Sequence, residues 1–273
     1  MKRIAILFLV FALAGTTVMA QDGMKVGVDF GIMDLDYASD SGVIRPVFIY
    51  ETSFDDFELY VEAGLPFWMS PEVWLGLDAQ VKFTYNMDLS GSKLALFVDS
   101  HTLIPFMNNW TMSTNFFNEN FGYSTALTLW LIPGAKFTMD MDFGDLYFEA
   151  TLPSLLVTPG TTRILLFLTA GLDMDSFGFG VTVNNAISPN ADFFRWLDIF
   201  GHLELDPVYI GLNVSIPLVD GGMEWIGMEI TPEVRFGLDS GLSFFGKLPI
   251  SGIGTNDYIG TSIGLILGVR FEL

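Results

Sequence analysis

Cysteine is absent from this chain, histidine occurs only at His101 and His202, and lysine and arginine together number 12. Without cysteine there is no disulfide scaffold, zinc ribbon, thiol nucleophile or lipid attached to an N-terminal Cys. Two histidines exclude any site that needs several imidazoles. Against the 12 bases stand 32 acids, and the formal charge of −20 repels phosphate, so nucleic acid is not a partner. Charge of either sign is scarce, at 16% of residues, where a soluble domain covers its surface with roughly 25–35%. With 51% hydrophobic residues and a mean hydropathy of +0.46, the chain needs an apolar environment. Yet beyond the N-terminus Gly, Asp, Asn or Pro breaks every apolar run before about 18 residues, which excludes a bundle of membrane helices. A bilayer crossed by strands is what remains.

The first residues, MKRIAILFLVFALAGTTVMAQ, place Lys2 and Arg3 before an apolar core from Ile4 to Ala14 and the small-residue pattern Val18-Met19-Ala20. This is the pattern of a secretory signal peptide, 1–20, cut after Ala20. Residues 21–273 then form a single domain, since no linker, charge block or low-complexity stretch divides them.

Within that domain the pattern is alternation. In Phe57 to Trp68, Phe57, Leu59, Val61, Ala63, Leu65 and Phe67 share one face, and Glu58, Tyr60, Glu62, Gly64, Pro66 and Trp68 the other. Val73 to Asn86 and Val208 to Leu218 repeat this period of two, the signature of strands facing two different solvents. Turn chemistry separates such segments at Ser53 to Asp56, Leu89-Ser90-Gly91, Pro133-Gly134, Phe143-Gly144-Asp145, Thr158-Pro159-Gly160, Asp206-Pro207, Asp220-Gly221-Gly222 and Asp239-Ser240-Gly241. The organisation is an up-and-down meander of hairpins.

A soluble sandwich also alternates, but its strands are mostly five or six residues long, whereas these run 11 to 14, as a tilted strand crossing a bilayer requires. The opposite face carries Gly, Ser, Thr, Asn or a lone charge, which suits a polar lumen. In the final segment, Ile259, Thr261, Ile263, Leu265, Leu267, Val269, Phe271 and Leu273 share a face, opposite Gly260, Ser262, Gly264, Gly268, Arg270 and Glu272. That segment resembles the closing strand of bacterial outer-membrane β-barrels, although Leu273 stands where a terminal Phe is commoner. The resemblance extends over residues 21–273 as a pattern and points to no single porin or enzyme family. It implies an all-β, closed antiparallel transmembrane barrel in the outer membrane, with both termini in the periplasm and lipid around the belt. It also implies an assembly signal at Val269, Phe271 and Leu273 read by the barrel-assembly machinery. Asp at Phe271 is expected to block insertion, and Ala at Gly268 to matter less.

Strand number must be even when both termini lie on one side. Fifteen segments begin near 25, 43, 57, 73, 92, 123, 135, 146, 162, 177, 196, 208, 223, 242 and 258, and Trp110 to Phe117 supplies a sixteenth. Sixteen strands are expected, with fourteen as the alternative. Asp36 to Gly42, Asn185 to Arg195 and Ser251 to Asp257 are read as outer loops, and Asp206-Pro207 and Asp239-Ser240-Gly241 as periplasmic turns.

Phase assigns to the lumen Asp29, Glu58, Glu62, Asp78, Lys82, Lys136, Asp140, Glu149, Asp198, Glu204, Glu229, Glu233 and Arg235, with His202 beside Asp198 and Glu204. Acids outnumber bases there, and a low-dielectric wall focuses their field, so a porin-like channel for passive diffusion of small solutes and ions, preferring cations, is expected. Lys82 with Asp78 and Arg235 with Glu233 can instead form ion pairs that stiffen the wall. A structural or adhesive barrel with a plugged lumen is the alternative, because Leu94 to Val98 and Ile164 to Leu168 are apolar on both faces. A barrel enzyme acting on lipid or peptide is the weaker one, since neither Asp198-Phe200-His202-Glu204 nor Asp99 with His101 matches a known motif. Trp68, Trp74, Trp130, Trp196 and Trp225 fall in the polar phase and can stack on sugar rings, but interfacial girdles are the preferred reading. Asp34, Asp36 and Asp40, or Asp140, Asp142 and Asp145, lack complete calcium-loop spacing. No metal, cofactor or catalytic residue is expected, and the oligomeric state is left open.

Overall fold

A computed structural model describes residues 23–32, 42–69, 73–105, 128–157, 163–186, 196–219, 222–223, 228–238, 240–253 and 262–273. The expected signal peptide, the loop acids Asp34, Asp36 and Asp40, the segment Trp110 to Phe117, the turn Thr158-Pro159-Gly160 and Trp225 lie outside the described residues.

The first strands are β1 (Met24–Ile32), β2 (Gly42–Phe54), β3 (Phe57–Gly64), β4 (Phe67–Met69), β5 (Val73–Asp88), β6 (Ser92–Pro105) and β7 (Thr128–Met141). After them come β8 (Gly144–Thr151), β9 (Ser154–Val157), β10 (Arg163–Asp173), β11 (Phe177–Ala186), β12 (Trp196–Leu205) and β13 (Val208–Val219). The last are β14 (Gly222–Met223), β15 (Met228–Gly237), β16 (Leu242–Lys247), β17 (Ile250–Ile253), β18 (Ser262–Ile263) and β19 (Leu265–Glu272). Each pairs antiparallel with its neighbours, and β1 pairs with both β2 and β19, so the sheet closes on itself.

Four staves of the wall are each broken in two, β3 with β4, β8 with β9, β16 with β17 and β18 with β19, and β14 pairs only with the last two residues of β13, outside the ring. The nineteen segments therefore make fourteen staves, not sixteen. Pro133-Gly134 is not a turn: both residues lie inside β7, so the strands expected near 123 and 135 are one. Pro133 has no N–H to offer a ladder, yet it pairs with Val98 on an outward row while flanking residues keep the register. Turn composition was misleading here because β7 continues on both sides of the pair.

Closely spaced turns join β2 to β3, β5 to β6, β7 to β8, β10 to β11 and β12 to β13 at one rim. Asp55 (φ 52°) and Ser90 (φ 48°) occupy the left-handed region there, and Gly91 (φ +93°) supplies it without cost. The described chain begins and ends at this same rim, where the Leu273 N–H donates to Met24 O at 3.0 Å. The segments 33–41, 106–127, 187–195 and 254–261 all join strand ends at the opposite rim. The connections expected around Asp36, Asn185 to Arg195 and Ser251 to Asp257 and the turn at Asp206-Pro207 therefore join strand ends at opposite rims, although Asn185 belongs to β11 and Ser251 to Ile253 to β17.

Cross-strand pairs share a face, so the register fixes what points where. Val28, Val81, Phe83, Leu96, Val98, Phe148, Leu168, Phe179, Val181, Ile199, Ile210, Leu212, Val234, Phe244, Leu267 and Phe271 form an exposed apolar belt outside. Inside, Val43, Leu103, Trp130, Leu165 and Ile266 are buried towards the rim of the long connections. The doubly apolar runs of β6 and β10 owe their second face to Phe97, Leu165 and Phe167, which point inward.

Candidate functional site in the lumen wall

The inward phase of five adjacent staves converges on one guanidinium. Asp29 of β1 stands in register with Arg45 of β2 and Gly268 of β19. Arg45 Nη1 donates to Asp29 Oδ2 at 3.0 Å and Nε donates to Asp78 Oδ2 at 2.8 Å. Its Nη2 donates to Asp78 Oδ1 at 2.6 Å and to Glu62 Oε1 at 2.5 Å. Arg270 Nη1 donates to the other oxygen of Asp29, across the seam between last and first strands, and Tyr60 donates its hydroxyl to Glu62 Oε2 at 2.5 Å. Arg45 is only 4% exposed and Asp29 1%, which is tolerable because a planar five-donor fork meets several carboxylate oxygens at once. The guanidinium packs against Gly64, where a Cβ would stand 2.2 Å from Arg45 Nε. Three carboxylates and two guanidiniums leave this clamp with a formal charge of −1.

The opposite arc is different. One register row runs Lys136, Glu149, Thr169, Thr182, Asp198, Ser215 and Glu229 across β7, β8, β10, β11, β12, β13 and β15. The hydroxyls of Thr169 and Thr182 bond to each other at 2.8 Å. Asp198 accepts from Ser215 Oγ at 2.5 Å and from Asn184 Nδ2 at 2.9 Å. The next row reads Tyr147, Gly171, Gly180 and Phe200. Both rings lie over the glycines, where a Cβ would come within 2.4 Å of Tyr147 and 2.3 Å of Phe200.

The sequence-derived lumen residues fall into three groups. Asp29, Glu62 and Asp78 form the clamp, while Glu149, Asp198 and Glu229 lie on the hydroxyl arc with Lys136, whose ammonium sits 4.1 Å from the Tyr147 ring. Nearer the short-turn rim, Glu58 accepts from Asn86 at 2.8 Å, Lys82 sits over Phe97 at 4.5 Å, and Asp140 and Glu204 are exposed. Glu233 pairs with Arg235 at 2.6 Å and with Lys247 at 3.5 Å. Lys82 and Asp78 do not form the ion pair of the alternative reading: Lys82 stands in register with Asp99, whereas Asp78 is engaged by Arg45. Asp99 accepts from Gln80 at 2.8 Å and contacts His101 at 3.2 Å, on one face as expected. His202 instead stacks on Tyr209, with ring centroids 5.5 Å apart.

Arg45 and Arg270 are lumen residues outside the sequence-derived set. The period-two phase of Val43 to Ile49 places Arg45 inward, but both faces of that segment are apolar and its polarity did not stand out. Alternation puts Arg270 on the face opposite Phe271, which is the lumen side. Trp130, 3% exposed and in register with His101, points inward and is not part of a lipid-facing girdle; Trp196 shares the inward row of Asn184. Val269 and Phe271 face the apolar side, with Phe271 46% exposed. Gly268 is more crowded than expected, since a Cβ there would lie 2.0 Å from the Phe245 ring and 2.7 Å from Asp29 Oδ1.

Cavities of about 370 Å³ and 400 Å³ lie along the lumen and share Tyr209, Glu233 and Lys247. A third, of about 750 Å³, is lined by Glu58, Tyr60, Gln80, Lys82 and Thr84 at the short-turn end. Among the described residues no group of three or more His, Asp or Glu is placed to hold a metal ion, and no helix is long and apolar enough to cross a membrane.

No family model matches the sequence, and no curated protein does. Solved structures do resemble it. The Acinetobacter baumannii outer membrane protein Omp33 is 7% identical, with a TM-score of 0.52 over 92% of this chain and 98% of that one. A mutant of the Rh. blastica porin is 11% identical, with a TM-score of 0.44 over 92% of this chain and 99% of that one. The chain shares the closed antiparallel β-barrel fold of Omp33. In such a barrel an apolar exterior and a polar interior are the two halves of one alternation, and chemistry with solutes is confined to the inward rows described above.

Proposed function

We propose that the chain is a porin-like channel through which small polar solutes and ions diffuse across an outer membrane, delivered there by a signal peptide cut after Ala20. One observation carries the reading: a ring of fourteen staves, apolar outside, encloses contiguous cavities lined by charged, hydroxyl and amide groups. Water and polar solutes are stabilised along such a path, while the belt meets lipid. Catalysis has less support, because Asp198 is engaged with Asn184 and Ser215 and His202 is stacked on Tyr209. The test is single-channel conductance of refolded protein in a planar bilayer, with lipase and protease assays on the same sample. Absence of conductance would favour a structural barrel, and hydrolysis a barrel enzyme.

Cation preference is the finer part of this reading. It rests on the acidic excess of the inward rows, but not on Glu62 and Asp78 acting as free charges, since Arg45 lies against both. Potassium is expected to permeate better than chloride, and the preference to weaken as the screening length falls from about 10 Å at 0.1 M salt to about 3 Å at 1 M. Converting Glu62 and Asp78 to amides removes two negative charges and leaves Arg45 and Arg270 in place. The reversal potential in a salt gradient should therefore move towards zero, whereas Glu58→Gln alone should move it little. A wild-type channel already selective for anions would remove the basis of the preference.

A further inference from the structure

Resting on the channel reading, we propose that the recess of about 370 Å³ on the hydroxyl arc is a binding site for neutral polyhydroxylated solutes of the saccharide class. Two adjoining rows carry the inference. In one, the half-buried ring of Phe200 covers Gly180, with its Cζ 2.3 Å from where a Cβ would stand, so an aromatic side chain forms part of the wall. In the other, Thr169, Thr182 and Asp198 stand side by side in register, offering hydroxyls that both donate and accept next to a carboxylate that accepts. A pyranose has the complementary construction, with C–H groups on a flat face and hydroxyls around its edge, so the ring can rest on Phe200 while its edge bonds along the neighbouring row.

The state of the polar groups favours a neutral ligand. Asp198 is engaged by an amide and a hydroxyl, and Glu233, at the lower edge of the recess, is paired with Arg235 and Lys247. An ion would lose hydration on entering, against a surface whose best groups are already in hydrogen bonds; a hydroxyl can join those bonds as donor and acceptor. Asn184 adds unused capacity at the same place: it is 5% exposed, lines the recess, and its Oδ1 has no hydrogen-bond donor among the described residues. A solute hydroxyl is the kind of donor that this oxygen lacks.

The experiment adds maltose to single channels of the refolded full-length barrel, with a polyethylene glycol of matched size as the control polymer. Calorimetry with maltose on the barrel in a sugar-free zwitterionic detergent runs beside it. Maltose is expected to reduce the current saturably and the polymer only by filling the pore. Phe200→Leu keeps apolar bulk without a flat face, and Thr182→Val keeps shape without the hydroxyl. Each should weaken the maltose effect, taken relative to that variant's own sugar-free current, by about fivefold while heat-modifiable mobility stays that of the wild type. Equal, unsaturable effects of maltose and polymer, or no change in either variant, would overturn the site and leave the channel standing. Saturable calorimetric binding, lost in the variants, in a barrel that does not conduct would support the site and overturn the channel.

Discussion

The two arcs of the lumen wall are built on opposite principles. From β19 through β1, β2 and β3 to β5, buried charges compensate one another around Arg45. From β8 to β13 the wall is mostly hydroxyl and amide, with rings lying over glycines. The clamp spans the seam where the barrel closes, and each of its members depends on the rest, because a buried charge left unpaired is costly. The hydroxyl arc has no such dependence: a lost hydrogen bond beside a water-accessible recess can be remade with solvent. Interdependent ion pairing and exchangeable hydrogen bonding thus fall on different staves.

Removing the centre of the clamp should have the largest effect. Arg45→Met leaves Asp29, Glu62 and Asp78 facing one another with only Arg270 for compensation, and should lower stability by about 3–5 kcal/mol, measured by urea unfolding of the refolded barrel in lipid vesicles. A value near zero would mean that the clamp is solvated in the bilayer and the contrast between the arcs is lost. Gly64→Ala tests the same arc by shape: its methyl would displace the guanidinium, at about 1–3 kcal/mol for overpacking, read from the same unfolding curves. Gly268→Ala should behave similarly, because its methyl meets Phe245 and Asp29.

Phe271→Asp addresses the outer surface and should reduce inserted protein, scored by heat-modifiable mobility, at a folding cost of up to a few kcal/mol set by depth. Because Phe271 pairs with Val26 and Leu242 near the short-turn rim, an effect towards the lower end is expected. Thr182→Val on the hydroxyl arc should change stability least, by about 0.5–1.5 kcal/mol at most. A loss as large as that of Arg45→Met would show the two arcs to be equally interdependent.

Much of the architecture was legible in the residues. Alternation in Phe57 to Trp68, Val73 to Asn86 and Val208 to Leu218 fixed strands with one apolar and one polar face, because a strand's side chains alternate whatever its neighbours are. The phase also placed Asp29, Glu62, Asp78, Glu149 and Asp198 inward. It fails where local chemistry imitates another element: Pro133-Gly134 has the composition of a turn but continues a strand, so the fifteen segments counted outright become fourteen, while the sixteenth, Trp110 to Phe117, lies outside the described residues. Trp130 and Trp196 follow their inward phase and not the girdle reading, because a strand's alternation fixes which way each side chain points.

What the sequence determined by itself, then, was which solvent each face requires, since period two and side-chain polarity are properties of a single strand. Which inward residues meet was decided by the tertiary structure. Asp29 and Arg270 are 241 positions apart, and only closure of the ring makes them neighbours. Arg45 reaches Asp78 and Glu62 because Gly64 leaves room beside it, and Thr169 meets Thr182 because the β10–β11 register aligns them. Contacts of this kind depend on register and stave order, which hydrogen bonding between strands sets and no one strand encodes.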